Sequence, residues 1–328
     1  MAYRIVPRPP APIGTDLLAL IGNTPLVRIR RLGDLPAAVE LYAKLEGFNP
    51  GGSVKDRPVL RIVEDAERDG RLAPDSAGRP RTILDSTSGN AGIAYAMIGA
   101  VKGYRVTLVV PANASEARKA VMQAYGADLV LSDPLEGSDG AMLAAQRMAD
   151  EHPDRYVYLN QYANPSNWWA HYDGTGVEVA SQTHGRITHF VAGVGTTGTV
   201  VGAGRRLREM DPAVEIIAAE PDSGFHGIEG WKHLPTAITP GIYDPSVAHR
   251  TVRVTTEEAY RLTRDLAARE GIFAGISSGA ALAAALAVAR DLREGVLVVM
   301  FPDAGDRYIS TPVWRAAAPS GGPADPKT

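Results

Sequence analysis

Lys55 sits in Asn49-Pro50-Gly51-Gly52-Ser53-Val54-Lys55-Asp56. A Pro-Gly-Gly turn there runs into a serine suited to cap a helix. Behind it Val59, Leu60, Ile62, Val63 and Ala66 recur at helical spacing. The pattern predicts a helix with Lys55 in its first turn, ending at Gly70. An ammonium at that end meets the partial positive charge of the helix N-terminus, which lowers its pKa. A lysine held neutral is an amine nucleophile or a base. Alone, the same lysine reads more simply as a surface residue beside Asp56. Its company changes that reading.

Gly193-Val194-Gly195-Thr196-Thr197-Gly198-Thr199 joins an apolar strand to a helix. The glycines let backbone N–H groups approach an anion, and the helix N-terminus adds a favourable dipole. The loop also satisfies the dinucleotide pattern G-x-G-x-x-G, and an acid, Glu220, ends the next strand. A nicotinamide-dependent dehydrogenase is therefore one reading. Against it, Thr196, Thr197 and Thr199 supply three hydroxyls, which suit a terminal phosphate monoester better than a pyrophosphate. A dinucleotide domain also usually begins with this fingerprint, whereas about 190 residues precede it here. A neutral lysine and a cup for one phosphate monoester together point to pyridoxal 5'-phosphate, whose aldehyde needs a lysine.

Three further loops offer polar groups. Thr87-Ser88-Gly89-Asn90-Ala91-Gly92 opens a helix and could hold a carboxylate, or be an ordinary cap. Gln161 follows a strand, where open α/β sheets bind ligands. Ser277-Ser278-Gly279 opens the last long helix, and Ser277 either caps it or faces a cofactor nitrogen. The histidines read as structural or solvated, and Trp168 and Trp169 as packing.

The elements that must position these loops alternate. Nine strand patterns from Leu26 to Met300 are interleaved with helical ones, which predicts an α/β fold with mostly parallel strands in two sheets. Residues 221–250, with five glycines or prolines in the first fifteen positions and more beyond, read as a long irregular segment of functional kind. The Pro-rich residues 1–14 read as an extension and 316–328 as a disordered tail. With 328 residues, 45 % hydrophobic and 22 % charged, the chain is long enough for two domains. A net charge of -3 gives no bulk case for nucleic-acid or membrane binding. The absence of cysteine excludes disulfides, thiolate metal sites and a cysteine nucleophile. No histidine spacing resembles a metal site. No apolar run nears the ~20 residues of a membrane span, and the N-terminus lacks a secretory h-region, so a cytoplasmic protein is expected.

Taken together, these loops resemble the cysteine synthase branch of the fold-type II pyridoxal-phosphate enzymes, the B-type enzymes most of all. That branch includes the catalytic core of cystathionine β-synthase. The resemblance spans roughly residues 16–315. It rests on Gly22-Asn23-Thr24-Pro25-Leu26, Lys44-Leu45-Glu46, Asn49 through Arg57, Thr87-Ser88-Gly89-Asn90, Gln161-Tyr162, Gly195 through Thr199 and Gly275 through Gly279, all in the family's order. It implies a tryptophan synthase β-like fold of two open twisted sheets flanked by helices. The smaller domain would be residues 46–155, with a mobile subdomain near 88–135. The larger would be 15–45 plus 156–315.

By the same resemblance, Lys55 would bind the cofactor covalently and then shuttle the Cα proton. Asn90 would hydrogen-bond the cofactor's phenolic oxygen, Gly195, Thr196, Thr197, Gly198 and Thr199 would hold its phosphate, and Ser277 would face the pyridine nitrogen. Thr87, Ser88, Asn90, Ala91 and Gln161 would bind the substrate carboxylate. Where the family usually has threonine, Ala91 contributes only its backbone. The implied reaction is β-replacement: an O-activated L-serine loses its β-substituent, an α-aminoacrylate remains, and a sulfur nucleophile adds to give L-cysteine. Lys232, in the 221–250 segment, falls where members using O-phosphoserine carry a basic residue, so O-phosphoserine is expected as a donor besides O-acetylserine. The sulfur source would be a small molecule or a thiocarboxylated carrier protein, and the assembly a homodimer. Cystathionine β-synthase or diaminopropionate-type β-replacement shares every residue named. The absence of a regulatory domain after residue 315 speaks mildly against a full cystathionine β-synthase.

Overall fold

The computed structural model describes residues 16–315. The expected N-terminal extension and C-terminal tail lie outside them. Among the described residues two sheets form. The larger has the order β1 (Leu26–Arg28), β2 (Ala38–Leu45), β10 (Glu294–Phe301), β7 (His189–Gly193), β8 (Glu215–Pro221), β9 (Arg250–Val254). The β1–β2 pair is antiparallel and the rest are parallel. The smaller, all parallel, has the order β5 (Asp128–Ser132), β4 (Arg105–Pro111), β3 (Thr82–Ser86), β6 (Tyr156–Tyr158).

Helices cover both faces of each sheet, and strand alternation decides what each face meets. In the large sheet Val191, Leu297, Val299 and Phe301 pack against α8 (Thr256–Asp265) and α9 (Ile276–Arg290). Their neighbours Phe190, Ala192, Val298 and Met300 face the side of α6 (Gly176–Gln182) and α7 (Gly198–Met210). In the small sheet Ile83 packs toward α1 (Asp56–Arg68) and α2 (Asn90–Lys102), while Leu84 faces α4 (Gly137–Glu151). Helix α9 is buried almost all round because alanines let α8 and the sheet approach it from opposite sides. Two further helices are α3 (Glu116–Ala124) and α5 (Ser166–Ala170).

Three features depart from the sequence reading. β9 lies where an irregular segment was expected to give way to a helix. It is an edge strand of alternating Arg, Thr and Val, partly exposed, so its apolar signal is thin. β6 pairs with β3, so residues 156–158, assigned to the larger domain, belong to the smaller sheet. Lys55 is not in the first turn: it is the cap residue, and α1 starts at Asp56. Ser53, expected to cap, instead accepts from the Lys55 N–H at 3.2 Å and tightens the turn before the helix.

A buried ionic network ties the start of α1 to the large sheet. Arg57 bonds Glu46 at 2.6 Å and Glu178 at 2.5 Å, and Lys44 bonds Glu178 at 2.6 Å. Thr24 joins through Glu46 at 2.6 Å. Because Arg57 is two residues from Lys55, this network sets where Lys55 can reach.

Candidate active site

One cavity of about 1030 Å³ opens between the C-terminal ends of strands from both sheets. It is lined by Lys55, Thr87 to Ala91, Gln161, Gly195, Thr196, Thr199, Lys232 and Ser277. The position follows the rule that open α/β sheets bind ligands beyond their strands' carboxyl ends.

Lys55 is partly buried and opens onto the cavity. Burial lowers its pKa to about 8, opposed by the charge of Asp303. Desolvation, rather than the helix dipole invoked from the sequence, is thus the main cause. The alternative of a surface lysine beside Asp56 does not hold: Asp56 is wholly buried and accepts from Gly51 N–H at 2.5 Å.

The Gly193–Thr199 loop leaves β7 and enters α7, whose first N–H groups have no acceptor within the helix. Thr197 is held at φ +70, a left-handed conformation that β-branched residues rarely adopt. Its buried Oγ1 has no partner. Thr196 Oγ1 accepts from Asn167 Nδ2 at 3.2 Å, and Thr199 Oγ1 contacts His171 Nε2 at 3.3 Å. His171 is buried, and burial pushes its pKa well below the ordinary histidine range. At Gly198 a Cβ would run into the Asn167 side chain. Strain, an orphaned hydroxyl and free helix N–H groups fit a bound phosphate. Glu220, the acid of the dinucleotide pattern, faces a separate cavity of about 340 Å³ and pairs with Arg253 at 3.4 Å.

Thr87 Oγ1 accepts from Gly89 and Gly92 N–H, both at 3.0 Å, and so ties the turn to the start of α2. Ser88 is exposed to the cavity, and the Ala91 methyl packs into the core. Gln161 is buried and its Nε2 donates to Ser86 O at 2.9 Å. Its N–H donates to Asp85, whose carboxyl burial drives up to about 7. Ser277 does not cap α9; Gly275 is the cap residue, and Ser277 lines the cavity. Lys232 is not solvated: its ammonium pairs with Asp139 and lies 5.1 Å from the Tyr162 ring.

Sequence reasoning missed Asp303, Arg307, Tyr308, Arg118 and Glu229. Asn90 Nδ2 donates to Asp303 Oδ2 at 2.6 Å, and Tyr308 OH donates to the same oxygen at 2.6 Å. Arg307 donates to Asn90 Oδ1 and to Gly51 O. Arg118 pairs with Glu229 across the cavity mouth. Part of the signal was present, because Pro302 to Tyr308 directly follow strand β10. The strand-end rule applied to Gln161 applies equally there.

Comparison with known proteins gives the chain's family. The sequence model of the family described as pyridoxal-phosphate dependent enzyme matches residues 17–303. The cysteine synthase of Aquifex aeolicus is 50 % identical over 301 residues, covering 90 % of each chain. Cysteine synthase B of Escherichia coli is 45 % identical over 294 residues, covering 90 % of this chain and 94 % of that one. Among solved structures, cysteine synthase from Entamoeba histolytica superposes with a TM-score of 0.90 at 34 % identity, over 97 % of this chain and 95 % of that one. O-ureido-L-serine synthase superposes at 0.86 with 39 % identity, over 94 % and 98 %. With a partly buried lysine, a threonine-lined helix terminus and matches over nine-tenths of its length, the chain belongs to the pyridoxal-phosphate-dependent enzymes, in their cysteine synthase branch.

Proposed function

We propose that the protein makes L-cysteine by β-replacement on an O-activated L-serine. With O-acetyl-L-serine and hydrogen sulfide the Cβ–O bond breaks, a Cβ–S bond forms, and acetic acid leaves without net redox change. The observation that carries this reading is the partly buried amine of Lys55, its pKa lowered by burial, in the same cavity as the phosphate-fitting loop. Pyridoxal phosphate, when bound, supplies the electron sink that acidifies Cα and labilises the β-substituent.

The chain's own residues do the rest. The first-turn N–H groups of α7 and the hydroxyls of Thr196, Thr197 and Thr199 would hold the phosphate, with Gly195 and Gly198 allowing the approach. By the family resemblance, Asn90 would donate to the cofactor's phenolic oxygen, and Ser277 would offer a neutral hydroxyl to its ring nitrogen. Lys55 would take the Cα proton, which a neutral amine can do. Ser88, Thr87 and the N–H groups of α2, including that of Ala91, receive the substrate carboxylate beside Gln161.

Both cations at the cavity mouth are already engaged, Lys232 by Asp139 and Arg118 by Glu229. The uncharged acetyl ester of an incoming O-acetylserine passes them without breaking a pair. O-phosphoserine would have to take Lys232 from Asp139, so O-acetylserine is the favoured donor. The Arg118–Glu229 pair joins residues 88–135, read as a moving subdomain, to the 221–250 segment, and Lys232–Asp139 ties that segment to α4. A homodimer and a thiocarboxylated carrier protein as sulfur source belong to this reading by family resemblance alone.

The purified protein should be yellow and change spectrum with O-acetylserine, and added sulfide should release cysteine. A protein that stays colourless with added pyridoxal phosphate would overturn the reading. Assaying O-phosphoserine beside O-acetylserine, with wild type and Lys232→Ala, decides the donor.

A further inference from the structure

An asparagine amide has one acceptor and two donors, and its two ends look alike in shape. A flipped Asn90 would turn its carbonyl where an N–H is needed. Two charged groups prevent this. Arg307 donates to Oδ1, and Asp303 accepts one Nδ2 hydrogen at 2.6 Å. The flipped amide would set NH₂ against a guanidinium and a carbonyl against a carboxylate. Both groups are themselves tied down. Asp303 is only 2 % exposed, takes the Tyr308 hydroxyl at 2.6 Å, and bridges to Ser53 in the turn before Lys55. Arg307 also donates to Gly51 O in that turn.

We propose that Asp303 and Arg307 are positioning residues that clamp the Asn90 amide from both ends, leaving its second Nδ2 hydrogen for the cofactor's phenolic oxygen. This rests on the cofactor reading above. Neither residue touches the reacting atoms; both act through Asn90. The clamp also links the start of α2, in the small sheet's layer, to the loop after β10 in the large sheet. The amide is therefore oriented only when the two halves are assembled.

The test is a double-mutant cycle on cofactor dissociation, read by absorbance titration of apoprotein with pyridoxal 5'-phosphate. Asp303→Ala should weaken binding about tenfold, the factor that one hydrogen bond to a charged group is worth. Asn90→Ala should do the same, and the double variant should be no weaker than Asn90→Ala alone. Asp303→Asn should stay within about twofold of wild type, since its amide oxygen can accept both hydrogen bonds. The clamp is overturned if Asp303→Ala binds like wild type, or if its loss persists in the Asn90→Ala background. It is equally overturned if Asp303→Asn is as weak as Asp303→Ala, because charge beside Lys55 would then be the cause. Should Asp303→Ala not fold, Arg307→Met carries the same cycle from the other end of the amide. A wild type that takes up no cofactor would instead overturn the cofactor reading itself.

Discussion

What sets Lys55 apart is where its amine ends, not which residue it is. A free lysine is protonated far above neutrality, but loss of water at the cavity floor brings this one to about 8. Only the neutral amine attacks an aldehyde. The rate at which apoprotein takes up pyridoxal phosphate should therefore rise as pH passes through about 8 and level off above it. Stopped-flow absorbance from pH 6.5 to 9.5 checks this; a rise centred near 10.5 would contradict it. Lys55→Ala should abolish cysteine formation, while the phosphate loop still holds unlinked cofactor through gel filtration. Thr197 stores strain at φ +70. Replacing it with glycine should raise apoprotein stability by about 1 kcal/mol, since glycine adopts that conformation freely. It should also weaken cofactor binding through the lost hydroxyl. Melting temperature and cofactor titration would move in opposite directions.

Helix α1 is held at its start by ions rather than by a capping side chain. Burial opposes ionisation of Glu178, but hydrogen bonds and charge from Arg57, then Lys44, outweigh it and bring the carboxyl to about 2. Its folded pKa lies below its unfolded one, so its stabilisation is complete above about pH 4.5. It is lost as pH falls toward 2. Glu178→Gln leaves Arg57 and Lys44 short of a partner in a buried site. It should cost about 3 kcal/mol at neutral pH, the range for breaking a buried pair, and much less at pH 3. Urea unfolding at both values checks the sign. Because Arg57 follows Lys55 so closely, the same variant should also slow turnover.

At the scale of the whole molecule, the cavity exists only between two sheets. Lys55, the Gly193–Thr199 loop and Ser277 border the large sheet; Thr87 to Ala91 open a helix of the small one. Arg118 to Glu229 and Lys232 to Asp139 span the mouth between them. Glu229 is partly exposed, so its pair with Arg118 is open to screening by salt. Glu229→Gln should raise KM for O-acetylserine about twofold to fivefold, and KM should then respond less to added salt than in wild type. Steady-state assays at two ionic strengths test this. An unchanged salt response would mean the pair does not hold the mouth closed.

Local pattern alone carried a large share of this. Helical spacing behind Lys55, strand-loop-helix order around Gly193–Thr199, and the residue types at Thr87–Asn90 and Ser277 are short-range properties. They marked out the α/β fold and the candidate site. Their failures were local too: β9 is a thin edge signal, and the start of α1 slipped past Lys55 because cap geometry depends on what the turn packs against. Tertiary structure alone decided the rest. The low pKa of Lys55 comes from burial under both layers, which no spacing encodes. Lys232 is paired rather than solvated because α4 brings Asp139 to it across 93 positions of chain. Asp303 and Arg307 lie 213 and 217 positions from Asn90, and only the meeting of the two sheets puts them on either end of its amide.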